Sequence, residues 1–243
     1  MTEAQERPIL FNGAMVRALV AGTKTQTRRV VKLPHNNPLG QWEPTTIGGP
    51  GVRFSNGTHA PAQAAIWHTR TGDALLCPYG QPGDRLWVRE AFRFAASLDP
   101  LSPNSVGEKA LDAGYSKPWA PTQFEADGSR AGAWCGFDTP PAATIPGKLR
   151  PGIHMPRWAC RLVLELTGIR IERLQAISEA DALAEGVTIQ DRHTRQHVAN
   201  DIAHPAGRAF RDMWCDINGV SAWSSNPWVW VVDFRRLVDG KEL

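Results

Sequence analysis

Residues 158–187, WACRLVLELTGIRIERLQAISEADALAEGV, change periodicity partway along, and that change decides the fold class. Leu162, Leu164 and Leu166 alternate with Arg161, Val163 and Glu165, and then Ile169 and Ile171 alternate with Arg170 and Glu172. A period of two sends alternate side chains to opposite faces of a strand. Thr167-Gly168, lying between the two runs, predicts a bulge or tight bend. The alternation then stops, and SEADALAEGV reads as a compact helix. Ser178 caps it, Asp181 stands three residues on, and Gly186 ends it.

The flanking sequence continues in the same style. NPWVWVVDFRRLV at 226–238 alternates Trp228, Trp230, Val232 and Phe234 against Val229, Val231, Asp233 and Arg235, which predicts a closing strand. Trp228 and Trp230 are expected in the core, and Trp223, in the polar run SAWSSN, is expected to be exposed. GRAFRDMWCDING at 207–219 gathers Phe210, Met213, Trp214 and Ile217 on one side of a helix. FNGAMVRALVAG at 11–22 reads as a short helix capped by Asn12 and stopped by Gly22. CPYGQPGDRLWVREAFRFA at 77–95 turns at GQPGD and enters a strand. Residues 34–72 and 96–149 are rich in Pro and Gly without a sustained period, and both are expected to be long insertions of irregular structure. Short helices beside alternating strands, with no βαβ rhythm, give an α+β class and a mostly antiparallel, barrel-like sheet. The expected organisation is one domain over 1–243, with core segments 8–33, 73–95 and 150–238.

Composition narrows the function classes. Of 243 residues 42% are hydrophobic, enough for a sizeable core, and 27 basic against 24 acidic residues leave a net charge of +3. That mild excess is compatible with an anionic partner and excludes a histone-like coat. Cys77, Cys135, Cys160 and Cys215 form no CxxC pair, so free thiols in a reducing compartment are expected rather than a zinc cluster or disulfide framework. The charged start MTEAQERPIL has no apolar signal region, and no apolar run reaches the roughly 20 residues of a membrane span. A cytoplasmic chain without metal or cofactor is the expectation.

The densest polar motif is KTQTRR at 24–29, between a helix stop and a strand. It is either a solvated turn or the floor of a site. In the second case a lysine beside a buried hydroxyl is a base toward a threonine nucleophile, and the arginines fork onto a phosphate or hold a carbonyl. In a regular strand Lys24 and Thr27 face opposite sides, so the chemistry needs Gly22-Thr23-Lys24 to be a turn with the strand starting near Gln26.

Lys24-Thr25-x-Thr27-x-Arg29 after a short N-terminal helix resembles the hallmark of the ASCH domain family, relatives of the PUA-like RNA-binding β-barrels. CPYGQPGDRLWVRE, IHMPRWACRLVLELTGIRIERLQAISEADALAEGV and NPWVWVVDF extend the likeness to longer ASCH proteins carried by bacteriophages and prophages. The resemblance implies a PUA-like barrel that binds RNA or a modified nucleoside. Small bacterial members include amidohydrolases that deacetylate N4-acetylcytidine with a lysine, a threonine and a glutamate. Those positions correspond to Lys24 as base, Thr27 as nucleophile and Glu185 orienting the lysine or shuttling its proton. Arg28 and Arg29 are implied on the substrate side, with Arg29 or a backbone N–H on the oxyanion. Arg89 and Glu90 are implied on a strand lining the pocket, with Glu90 a rival for the acid. In IHMPRW, beside His154, Trp158 is the candidate base-stacking residue and Arg157 the phosphate contact; a packed indole at a proline-bent strand entry is the alternative. A non-catalytic binding module, or a phage interaction protein docking through its tryptophan-rich loops, are the competing functions.

Overall fold

A computed structural model describes residues 4–53, 55–131, 145–194, 202, 204–238 and 241–242. It is mixed α+β, with one six-stranded and two three-stranded sheets, and among the described residues no sheet closes into a barrel. The chain separates into two compact units, each assembled from distant segments. One comprises Met1–Gln5, Gly22–Asp84 and Glu165–Arg235; the other comprises Glu6–Ala21, Arg85–Leu164 and Arg236–Leu243.

In the first unit the strand Gln26–Val30 lies antiparallel to Trp228–Val238, with Asp233 opposite Gln26 and Val229 opposite Val30. Both faces of the closing strand are covered: Val229 and Val231 are buried, and so are Trp230, Val232 and Phe234. Trp230 is therefore core as expected, whereas Trp228 is half-exposed with the Arg173 guanidinium 4.2 Å over its ring. Val229 and Val231 pack with Leu174, Ile177, Phe210 and Trp214, from the helix Pro205–Asn218 and the segment before the helix Glu179–Ala184. Trp223 is not the exposed aromatic of the sequence reading; it packs half-buried against this cluster, where its apolar area outweighs its polar neighbours.

The structure bears on two sequence expectations here. Thr167-Gly168 lies inside one strand, Val163–Arg173, and the buried positions change phase across it, from Leu164 and Leu166 to Ile171. A Cβ at Gly168 would stand 3.0 Å from Asp233 Oδ2, so the glycine admits a close neighbour there. Residues 34–72 are not simply a loop. Trp42–Ile47 pairs antiparallel with Gln63–His68, which pairs with Ala74–Leu76. Pro44 masked the first of these strands, but it sits on an edge strand, where a missing N–H is tolerated.

In the second unit Glu6–Leu10 runs parallel to Arg85–Arg89, an exception to the antiparallel expectation. The helix Gly13–Val20 is capped as expected, with Asn12 Oδ1 accepting from the Met15 N–H at 2.9 Å, and it buries Val16 and Leu19. Residues 96–149 are more ordered than expected where they are described. They hold the helix Pro103–Asp112, begun by Ser102 as cap and Pro103 in its first turn, and the strands Thr122–Phe124 and Arg130–Ala131. Phe92, Phe94, Val106, Phe124 and Met155 form the apolar core of this unit.

Candidate functional site

The KTQTRR motif meets the turn condition. Gly22, at φ +75°, takes the chain out of the helical path, the strand begins at Gln26, and Lys24 makes an isolated antiparallel bridge with Glu185. Only glycine adopts that φ without strain. The Thr25 N–H donates to the Ala184 carbonyl at 2.8 Å, fastening the motif to the end of the helix Glu179–Ala184.

Lys24 and Glu185 meet inside the first unit. Lys24 Nζ donates to Glu185 Oε2 at 2.7 Å, to the Glu185 carbonyl at 3.0 Å and to the Gln26 carbonyl at 2.8 Å. The lysine side chain is fully buried and that of Glu185 is 2% exposed. An ammonium has three donors, and these acceptors take them all. Burial pushes the Lys24 ammonium below its ordinary range, and the adjacent Glu185 carboxylate only partly restores it.

The strand carries the site further. Residues 24, 26 and 28 share one side, and their partners form a continuous network. Arg28 Nη1 reaches Glu185 Oε1 at 3.4 Å and donates to Gln26 Oε1; Nη2 donates to Glu172 at 3.2 Å and stands 3.5 Å from Asp181. Gln26 Nε2 donates to Asp181 at 2.9 Å and to Asp233 at 2.6 Å. Arg170 closes the outer edge, reaching Glu172 at 2.6 Å, Asp181 at 2.6 Å and Asp233 at 2.8 Å. Lys24, Arg28 and Arg170 thus face Glu172, Asp181, Glu185 and Asp233, one more carboxylate than cations. The guanidinium of Arg28 is committed to these acids, so it does not present a fork to a phosphate.

Thr27 and Arg29 take the other side of the strand. Thr27 is completely buried, and its Oγ1 makes no hydrogen bond, which is costly for a hydroxyl with no other task. Arg29 is half-buried, and burial lowers its guanidinium, which donates a hydrogen bond to the Tyr79 phenol oxygen. The structure therefore joins Lys24, Glu185 and Arg28 by direct contacts and leaves the Thr27 hydroxyl without a hydrogen-bonded base.

The other sequence candidates lie in the second unit. Glu90 is buried under a bidentate contact from Arg161, at 2.8 Å to each carboxylate oxygen, so its acceptors are occupied. Arg89 donates to the Gly152 carbonyl at 3.1 Å and lies over the Trp87 ring. Arg157 holds Glu6 at 2.8 Å, and His154 is exposed. Trp158 stacks on Phe94 with ring centroids 5.5 Å apart, the packed-indole alternative.

Gln26, Arg170, Glu172, Asp181 and Asp233 were not singled out from sequence. The available signal was the strand period: positions 24, 26 and 28 share a face, whereas the ASCH resemblance draws attention to 24, 27 and 29. Asp181 was read only as a helix-capping acid, and it does accept from Ser178 Oγ at 2.7 Å. Burial alone would raise its carboxyl, but the Ser178 and Gln26 donors, with Arg170 and Arg28, lower it from 3.8 to about 2. A depressed folded pKa contributes stability that is complete above the unfolded value and lost as pH falls from about 4 toward 2. Asp181→Asn should therefore lower stability at neutral pH and flatten the loss between pH 4 and 2, read by denaturant melts across that range.

Among the described residues no cluster of three or more His, Cys, Asp or Glu side chains is arranged for a metal, and no helix is long and apolar enough to cross a membrane. No protein-family model, curated protein or solved structure matches the chain.

Proposed function

We propose that the chain is an ASCH-type protein of PUA-like descent that binds RNA or a modified nucleoside and hydrolyses an acylated base amide of the N4-acetylcytidine kind. The observation that carries this reading is the buried Lys24–Glu185 pair, whose ammonium is destabilised by burial in the same motif as an unpartnered threonine hydroxyl. A lysine lowered by desolvation is the usual form of a lysine base.

The steps balance. A proton passes across the 2.7 Å hydrogen bond from Lys24 Nζ to Glu185, leaving a neutral amine and a carboxylic acid. Because Lys24 and Thr27 leave opposite sides of the strand, the reading requires a local rearrangement or a relaying water for the amine to take the Thr27 proton, after which Oγ1 adds to the amide carbonyl. Collapse expels the base amine, which receives the proton from Lys24. Water then cleaves the acyl-threonine ester, releasing the acid and restoring Thr27, and Glu185 returns its proton to Lys24 across the same hydrogen bond.

A second reading has its own support: all three Lys24 donors are satisfied within the protein, as in a structural staple. The chain would then be a binding module without turnover. Purified protein incubated with N4-acetylcytidine separates the two. Release of cytidine, followed by chromatography, supports hydrolysis. No product at high enzyme removes that substrate. RNA affinity that falls with salt and is indifferent to Thr27→Val supports the module.

A further inference from the structure

A cleft of about 240 Å³ in the second unit is lined by Glu6, Arg85, Arg157, Cys160, Arg161, Val163 and Leu237. Three arginines line this space, which is smaller than a drug-sized pocket. Each stands in a different state. Arg161 is fixed: Glu90 accepts from its Nε and Nη2, and Asp127 and Ser129 accept from its Nη1. Its plane also lies 4.1 Å over the Phe124 ring. Four of its five N–H bonds are thereby used, leaving one on Nη2.

Arg157 uses Nε and one Nη2 hydrogen on Glu6, so its Nη1 donors are not engaged by that pair. The pair is open to water, with the two side chains 47% and 34% exposed. Such pairs contribute little, and a competing oxyanion displaces them readily. The guanidinium of Arg85 makes no hydrogen bond or ion pair among the described residues, although its charge acts on Glu6 and helps to lower that carboxyl. Glu6 is the one carboxylate in the lining. It faces Arg157 and Arg85 together, which is the position an incoming anion would share or take.

We propose that this cleft binds a phosphate group, with Arg85 and Arg157 supplying mobile donors and Arg161 a preset one. Planar guanidinium forks match tetrahedral phosphate oxygens, and more than one fork selects phosphate over a monovalent halide. The group belongs either to a free phosphate or phosphomonoester or to the backbone of a nucleic acid strand. Neither source involves Lys24 or Glu185, so the proposal stands apart from the hydrolytic reading.

Cys160 provides a local reporter. The residue lines the cleft, and its thiol donates to the Leu162 carbonyl at 3.2 Å and is pushed up by burial, so it alkylates slowly and its rate is easily followed. The full chain is alkylated with iodoacetamide at pH 8, and modification at Cys160 is quantified by peptide mass spectrometry. The runs contain chloride, inorganic phosphate or a short single-stranded RNA, at one ionic strength.

Phosphate should slow alkylation at Cys160 several-fold relative to chloride while Cys77 and Cys215 are unaffected. Protection by the RNA alone would assign the phosphate to a nucleic acid backbone. Arg85→Ala should weaken the protecting ligand about tenfold. Glu6→Gln should tighten it, a direction that loss of a purely structural ion pair does not give. Equal alkylation in all three runs, or protection unchanged by both substitutions, overturns the proposal.

Discussion

Thr27→Val should abolish deacylation without loss of the fold. Valine matches threonine in shape, and Oγ1 has no hydrogen bond to lose, so removing it lifts a desolvation penalty. Stability should be unchanged or higher by about 1 kcal/mol. If Thr27 is the nucleophile, turnover should fall by something on the order of 10⁴-fold, as when a covalent catalyst loses its attacking group. The pairing of outcomes matters more than either alone. A residue that merely fills the core would give unaltered turnover and unaltered melting. Thr27→Ser separates chemistry from packing: it keeps the hydroxyl and deletes a buried methyl, so it should melt earlier yet retain activity. Initial rates on N4-acetylcytidine and thermal melts of the three proteins decide the matter.

The second large effect belongs to the Lys24–Glu185 pair. Removing one partner leaves a buried charge or unmet carbonyls, at a cost of about 3–5 kcal/mol. For a chain of this size each kcal/mol moves the melting temperature by about 2–4 °C, so Lys24→Met or Glu185→Leu should lower it by about 6–20 °C. The two singles differ in what they strand. Lys24→Met leaves Glu185 with Arg28 Nη1 at 3.4 Å and leaves the Gln26 and Glu185 carbonyls without their donor. Glu185→Leu leaves the ammonium with those two carbonyls but no opposite charge close to it. The double variant Lys24→Met/Glu185→Leu should be less destabilised than the sum of the singles, because neither charge is then stranded. Additive losses would mean that the two side chains do not interact in solution. All three variants should be inactive in deacylation, so the cycle is read on stability and the Thr27 series on rate.

Much of the site could be read from the chain, and what could not had definite causes. Ser178, Gly186 and the period-two runs place the helix Glu179–Ala184 and the strand before it, and with them the stretch where Glu185 lies. The turn at Gly22 and the start of the strand at Gln26 followed from asking how Lys24 could act at all. What sequence did not supply was the set of partners brought in by tertiary pairing. Asp233 faces Gln26 only because Gln26–Val30 lies antiparallel to the closing strand, and no local pattern encodes that register. Glu90 illustrates the reverse. A carboxylate next to an arginine on a strand attracted a catalytic reading, yet its charge is met by Arg161, distant in sequence. The three-stranded sheet built from Trp42–Ile47, Gln63–His68 and Ala74–Leu76 escaped notice because Pro44 and the glycines at 48, 49 and 51 read as loop.

The central claim is that burial has made the Lys24 ammonium unusually willing to give up its proton. Selective ¹³C labelling of lysine, with the Lys24 ε-carbon assigned by its absence in Lys24→Met, allows that group to be titrated directly by NMR. The account predicts a midpoint below the ordinary lysine range, with the remaining lysines as internal references. A Lys24 midpoint at or above theirs would contradict it.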